Sequence, residues 1–268
     1  DGNPFVKADT TLKVADALRG GIIKSYYLDV RRIKRRLTFE GVDILLAGLE
    51  DELYKNIFIP GQRTNLNKAG ILATLNKIKE ILIYQHNGLF LHLIDNLINK
   101  VQVFGLHFAS LDIRQESSVH NTVLDAIAAD NHTIPSDYFL LKEEEKIKLL
   151  GNITVPVSSV ISENPLVADT LDSIKAVKSI QDFNGELGCN RYIISQCNSA
   201  LNVMEVYGLF LACGWSKTNL NVDIVPLFET VEDLKNAAEI MQQLYSNPIY
   251  TDHLAHRKHK QTVMLGFS

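Results

Sequence analysis

This sequence has few cysteines, no excess of positive charge and no long apolar run. Each of these absences argues against one class of protein. Its three cysteines form no CxxC pair and leave an odd number, which favours free thiols in a reducing cytoplasm over a disulfide framework. Lysine and arginine number 27 against 31 acids, a net charge of −4, which gives no support for a nucleic-acid or anionic-membrane partner. The most apolar stretch, residues 88–105, is interrupted by histidine, aspartate, asparagine and lysine and is too polar to span a bilayer.

Several common enzyme motifs are also missing from the chain. It contains no GxGxxG, GxxxxGK[ST], GxSxG or HExxH. The N-terminus has no signal-peptide pattern. The chain opens on the turn-like DGNPFV and stops in the strand-like VMLGFS, from which we expect a fragment of a longer protein.

Residues 1–100 are predicted to form a mostly helical segment. Apolar residues recur at helical spacing over 10–37 and 67–86, with a weak point at Gly20-Gly21, and a further helix is expected around 90–101. The basic cluster within 31–36 lacks interleaved aromatic residues and is interpreted as a solvated helix face.

In residues 101–268 the spacing of the apolar residues changes, and strand-like runs appear between the helical patterns. Four short β-type runs are separated by helical patterns and lie at 102–113, 191–197, 221–228 and 261–267. Strands buried on both faces and separated by helices predict a parallel sheet or barrel. We therefore expect a helix-rich α/β fold with four βα-type units, about half of an eight-stranded barrel. Its outer strands, 102–113 and 261–267, would be open to pairing with another molecule.

Two charged residues follow these apolar runs. Arg114 is predicted to end the first strand and Glu229 follows the third, and reactive groups of βα barrels lie at the C-terminal ends of strands. Arginine presents a fork of donors that fits phosphate or carboxylate, and a carboxylate suits Mg²⁺ or Mn²⁺. Two structural alternatives stay open: an ion pair of Arg114 with Asp112 or Glu116, and a helix-dipole role for Glu229.

The histidines give weaker indications. Three of them lie at spacings of three in HLAHRKHK: His253, His256 and His259. Because the interleaved basic residues would repel a cation, this segment is interpreted as a solvated basic turn. Two more flank the first predicted strand and are interpreted as core or rim residues, His107 and His120.

Five segments resemble the phosphoenolpyruvate carboxylase family, in the family's order. FGLHFASLDIRQESSVH resembles its L-D-[IV]-R-Q-[ED]-S motif with the following histidine, and VDIVPLFETVEDLKNA its V-P-L-F-E-T-x-x-D-L. DGNPFV is similar to the end of G-G-D-R-D-G-N-P. RYIIS is similar to Y-[IV]-I-S, and KHKQTVMLGFS to G-K-Q-x-V-M-[IL]-G-[YF]-S.

The resemblance implies a fold, a reaction and site residues. It implies part of that family's βα barrel and a cytoplasmic lyase that joins phosphoenolpyruvate to bicarbonate, giving oxaloacetate and phosphate in carbon dioxide fixation linked to the tricarboxylic acid cycle. Bicarbonate attacks the phosphorus, and the enolate then captures carbon dioxide released from carboxyphosphate. Arg114 falls on a substrate-phosphate arginine and Glu229 on one of two acidic ligands of Mg²⁺ or Mn²⁺. The family is usually homotetrameric.

The chain also departs from the family pattern. The second metal ligand is an aspartate directly after the G-[YF]-S serine, and this sequence ends at Ser268. The family's histidine motif and glycine- and arginine-rich loops are missing, and RYIIS continues as Gln196, Cys197, Asn198. We therefore expect the 268-residue chain alone to be inactive and to bind metal weakly.

Two alternatives stay open. One is a non-catalytic assembly or regulatory module, in which the arginine and the acid are structural. The other is a kinase-type phosphotransferase, which should supply an E-x-D-like metal pair and a nucleotide site.

Overall fold

The computed structural model describes residues 6–59, 64–130, 132–157 and 164–266, and these residues form two compact units. The helical unit comprises residues 12–110 and 180–188, and the sheet unit comprises residues 1–11, 111–179 and 189–268. Residues 1–5 of the first segment of the family resemblance, DGNPFV, and the last two residues, 267 and 268, lie outside the described residues.

Among its described residues, the helical unit contains four long helices: α1 (Ala8–Lys34, from Leu12 onward), α2 (Val42–Phe58), α3 (Lys68–Gln85) and α4 (Leu91–Phe104). Their buried residues recur every three or four positions, as in the α3 series Ile71, Leu75, Ile78 and Leu82. That spacing places one apolar stripe of each helix in a shared core. α1 continues through Gly20-Gly21, because buried Ile22 and Ile23 pack into this core directly after the two glycines.

The described part of the sheet unit contains four strands: β1 (Asp112–Glu116), β2 (Arg191–Ser195), β3 (Asp223–Phe228) and β4 (Met264–Leu265). All neighbouring pairs are parallel, in the order β1-β2-β3-β4. This confirms the predicted helix-rich α/β class with four parallel strands. Sequential order is the arrangement that adjacent βα units produce.

Helices connect the strands of the sheet unit. α5 (Ser117–Asp130), α6 (Glu143–Leu150) and α7 (Pro165–Asn184) lie between β1 and β2, α8 (Ala200–Ala212) between β2 and β3, and α9 (Val231–Ser246) and α10 (Pro248–His256) between β3 and β4. The residues of α7 up to Ser179 belong to this unit. Among the described residues, no helix combines the length and apolarity that a bilayer span requires.

The predicted bounds of the first strand are wrong. Residues 102–104 complete α4, Gly105 follows with a φ of 50°, and β1 begins only at Asp112. The apolar run was ambiguous because Val101 continues the helical stripe of Ile94 and Ile98 into the core, which short-range periodicity cannot distinguish from a buried strand. Arg114 therefore lies in the middle of β1 and does not end it.

Candidate functional site

Arg114 is the third residue of β1 and continues a row of side chains across the sheet. Its register partner on β2 is Ile193, and the partner of Ile193 on β3 is Val225. Both partners are buried and belong to one apolar cluster with Leu227. Because directly paired residues of a parallel sheet share a face, Arg114 lies on the face that this cluster covers.

Glu229 directly follows β3 and directly precedes the N-cap residue of α9. Thr230 is the N-cap of α9: its hydroxyl accepts from Asp233 N at 3.1 Å, and the Asp233 carboxylate accepts from Thr230 N at 3.0 Å. The same carboxylate accepts from Glu229 N at 3.2 Å. Partial burial would raise the pKa of Asp233, but the hydrogen bonds from Thr230 and Glu229 lower it overall. This capping box fixes the backbone at Glu229.

The two predicted site residues are in direct contact. Arg114 Nη2 lies 3.3 Å from Glu229 Oε1, and the two side chains are 21% and 33% exposed. β2 lies between the strands that carry them. A partly shielded arginine and a carboxylate therefore converge on one side of the sheet, where both can be reached from solvent.

The two alternative partners of Arg114 make contacts of their own. Asp112 pairs with Arg191 of the neighbouring strand, with 3.5 Å between Oδ1 and Nη1. Glu116 accepts the hydroxyl of Ser118 at 2.8 Å. Arg114 also forms a long-range ion pair with the other predicted site residue, Glu229.

A pair of hydrogen bonds joins β1 and β2 at their C-terminal ends. Ser117 Oγ donates to the carbonyl of Gln196 at 2.8 Å, and Ser195 Oγ donates to the carbonyl of Gln115 at 3.4 Å. Gln196 has a φ of 52°, in the left-handed region that non-glycine residues seldom adopt. Sequence reasoning missed the role of Ser117, because no local pattern reveals a bond to a residue 79 positions away.

Two cavities of the sheet unit differ in their relation to this pair. The larger, about 810 Å³, lies among α6, α8 and α9 and is lined by neither Arg114 nor Glu229. The second, about 560 Å³, runs beside β1, and Arg114 lines it together with Lys7, Asp169 and Thr170. Only the second brings a guanidinium into a concave space, so we regard it as the one relevant to anion binding.

Of the two predicted site residues, Glu229 is the one that could hold a metal ion. Glu229 is a hard oxygen donor of the kind that Mg²⁺ and Mn²⁺ accept, and Mg²⁺ takes only one or two protein carboxylates beside substrate oxygens and water. Across the ranges 6–59, 64–130, 132–157 and 164–266, no three His, Cys, Asp or Glu side chains form a group suited to a metal ion. Glu229 therefore fits one position of an open site.

The buried histidines and cysteines are poor catalytic groups. Burial lowers the pKa of His120 to about 3, and its Nε2 lies 2.9 Å from the hydroxyl of Tyr192. The interpretation of His253 as part of a solvated turn is wrong, because it is a buried residue of α10; burial, with Arg257 nearby, lowers its pKa to about 4. Burial raises the pKa of the Cys189 and Cys197 thiols to about 12, which keeps them protonated and unreactive.

Comparison with known proteins identifies the family to which this sequence is similar. The sequence model of the phosphoenolpyruvate carboxylase family matches residues 47–268. Phosphoenolpyruvate carboxylases of Gloeobacter violaceus and Nitrosomonas eutropha are each 29% identical over all of this chain, which covers 34% of either relative. The enzyme of Synechocystis sp. is 35% identical over 68% of the chain and 19% of its own length. The chain thus spans about a third, or less, of the length of these curated relatives.

Proposed function

This chain belongs to the phosphoenolpyruvate carboxylase family, and we propose that the protein takes part in joining phosphoenolpyruvate to bicarbonate, with Arg114 and Glu229 as site residues. The observation that carries the proposal is the 3.3 Å contact between them, made across β2 from two different strand–helix units. The sequential parallel order of the strands supports a further proposal, that the sheet is part of a βα barrel.

In this proposal Arg114 binds the substrate phosphate. Its guanidinium keeps its charge at any working pH and donates two hydrogen bonds in one plane, which suits phosphoryl oxygens. The contact with Glu229 neutralises the guanidinium when no anion is bound. A bound phosphate would replace the carboxylate as its counter-charge and leave Glu229 to a cation.

Glu229 would hold the Mg²⁺ or Mn²⁺ ion. When bound, such an ion stabilises negative charge on phosphoryl and enolate oxygens. The capping box behind Glu229 keeps its backbone in place, and the Arg114 guanidinium adds a second positive group on the same side. Together the two residues would hold an anionic substrate beside its counter-ion.

The test uses the protein expressed from its own gene, mixed with phosphoenolpyruvate, bicarbonate and Mg²⁺ and coupled to malate dehydrogenase. We expect NADH consumption that requires all three, and a loss of about 100-fold or more in Arg114→Ala. Arg191→Ala is the matched control, because Arg191 is a strand arginine paired with Asp112 and 44% exposed. A folded wild-type protein without turnover, or equal losses in both variants, would refute the proposal.

The 268-residue chain alone gives a second test. We expect no turnover in the same assay, because no three His, Cys, Asp or Glu side chains of its described residues form a group suited to a metal ion. Activity above that of a heat-inactivated sample would contradict this. Calorimetry should likewise show only weak Mn²⁺ binding; micromolar affinity that Glu229→Ala abolishes would overturn that expectation.

Two coarser proposals concern the setting of the protein. We place it in the cytoplasm, which the three cysteines support because each is a free thiol. We also propose that it functions as a homotetramer, as the family resemblance implies. The competing reading is a non-catalytic module with a structural ion pair; it predicts that Arg114→Ala lowers solubility or stability and leaves turnover unchanged in the folded fraction.

A further inference from the structure

Gly266 directly follows β4 and lies beside Glu229, which directly follows β3. β3 and β4 pair in register through Leu227 with Met264 and Phe228 with Leu265, so the next pair along is Glu229 with Gly266. Gly266 N donates to the carbonyl of Phe228 at 2.9 Å, which holds its backbone against β3. The two residues are therefore cross-strand neighbours, and their positions are fixed by the sheet.

The side chain of Glu229 occupies the space that a side chain at position 266 would need. A Cβ atom built on Gly266 would overlap Glu229 Cγ and come within 3.2 Å of its Cβ and Cδ. The overlapping atom is Cγ, which rotation of the terminal carboxylate does not move, so only a change of χ1 can relieve the overlap. Gly266 does not have a left-handed φ, so its backbone conformation is open to alanine. The glycine is needed for space and not for chain conformation.

We propose that Gly266 is a positioning residue for Glu229. Because nothing projects from Gly266, the side chain of Glu229 lies close to the backbone at Gly266 while its carboxylate meets Arg114 at 3.3 Å. Any side chain at position 266 would force Glu229 into another χ1 rotamer and carry the carboxylate away from Arg114. The consequence for metal binding rests on the proposed role of Glu229; the steric relation does not.

The first experiment is a thermal-unfolding cycle on the 268-residue chain. We expect Gly266→Ala to lower the midpoint by about 2 to 4 °C and to have less than half of that effect in the Glu229→Ala background, where Cγ and Cδ are gone. Gly48→Ala is the control, because Gly48 lies inside α2 with no atom near its added Cβ; it should not lower the midpoint. Equal effects of Gly266→Ala in both backgrounds would overturn the proposal.

The second experiment measures Mn²⁺ binding by electron paramagnetic resonance on the protein expressed from its own gene. We expect Gly266→Ala to weaken binding by about 10- to 100-fold, Glu229→Ala to weaken it at least as much, and Gly48→Ala to leave it unchanged. Wild-type affinity in Gly266→Ala would refute the positioning role. If Glu229→Ala also binds Mn²⁺ normally while the unfolding cycle shows coupling, the proposed metal role of Glu229 fails and the steric relation of Gly266 to Glu229 stands.

Discussion

Glu205 gives the sharpest stability prediction, because it is an acid that the fold buries almost completely. It lies on α8 with 1% of its surface exposed. Its Oε2 accepts from Asn202 Nδ2 at 3.2 Å. The charged groups that influence its pKa are Lys146 and Glu143 of α6, and Glu205 in turn contributes to the raised pKa values of Tyr138 and Cys197. Burial is the largest effect and raises the pKa of Glu205 from 4.5 to about 7, against smaller lowering by Asn202 and Lys146.

The sign of the pH dependence follows from this shift. The folded protein keeps a proton on Glu205 up to about pH 7, whereas the unfolded chain releases it near pH 4.5. Stability from this group is therefore fully present below pH 4.5 and is lost as the pH rises through 7. The difference between the folded and unfolded pKa values corresponds to a loss of about 3 kcal/mol in the free energy of unfolding, at about 1.4 kcal/mol per pKa unit.

The perturbation is Glu205→Gln, which keeps an oxygen acceptor for Asn202 and cannot ionise. Urea unfolding at pH 5, 6, 7 and 8 should show the variant gaining about 2 to 3 kcal/mol relative to wild type between pH 5 and pH 8. Groups common to both proteins cancel in this difference. Glu239→Gln is the control: Glu239 is an exposed residue of α9, and its difference from wild type should stay within about 0.5 kcal/mol. A pH-independent difference for Glu205→Gln would refute the reasoning.

Three further predictions concern other parts of the fold. The lowered pKa of buried His253 means that its stabilising contribution is present above pH 6.5 and is lost as the pH falls towards 4; His253→Gln should therefore lose less stability than wild type between pH 7 and pH 5, and an equal loss would contradict this. Thr230→Ala removes the N-cap bond to Asp233 and should lower the free energy of unfolding by about 1 kcal/mol in urea titrations; an unchanged value would mean that the cap contributes nothing. Leu53→Ala in the fully buried core of the helical unit should lower it by about 2 to 5 kcal/mol; a change under about 1 kcal/mol would mean that the surrounding helices collapse onto the space.

The strands of the sheet unit show which strand positions the sequence patterns predict correctly and which they do not. β2 and β3 lie within the predicted runs 191–197 and 221–228, because each is apolar, short and bounded by polar residues. β1 was misplaced, because the apolar run before it belongs to the buried stripe of α4. Only packing against the other helices of that unit decides between a helix end and a strand there.

Some features of the candidate site could likewise be predicted from the sequence, and others could not. Position after an apolar run and the family resemblance identified Arg114 and Glu229 as candidates. The spatial relation of Gly266 to Glu229, and the bond from Ser117 to Gln196, depend on strand register and have no local signature. Of these, only Gly266 had a visible signal, as the glycine of the G-[YF]-S segment.

The sequence by itself determined the alternation of helices and parallel strands, because helical and strand periods are properties of neighbouring residues. It also supplied the chemistry of a permanent cation and a hard oxygen ligand. The tertiary structure decided that these two groups, 115 residues apart, lie within 3.3 Å of each other. That contact depends on pairing two strands with a third in one register, and strand register is fixed by packing over the whole sheet.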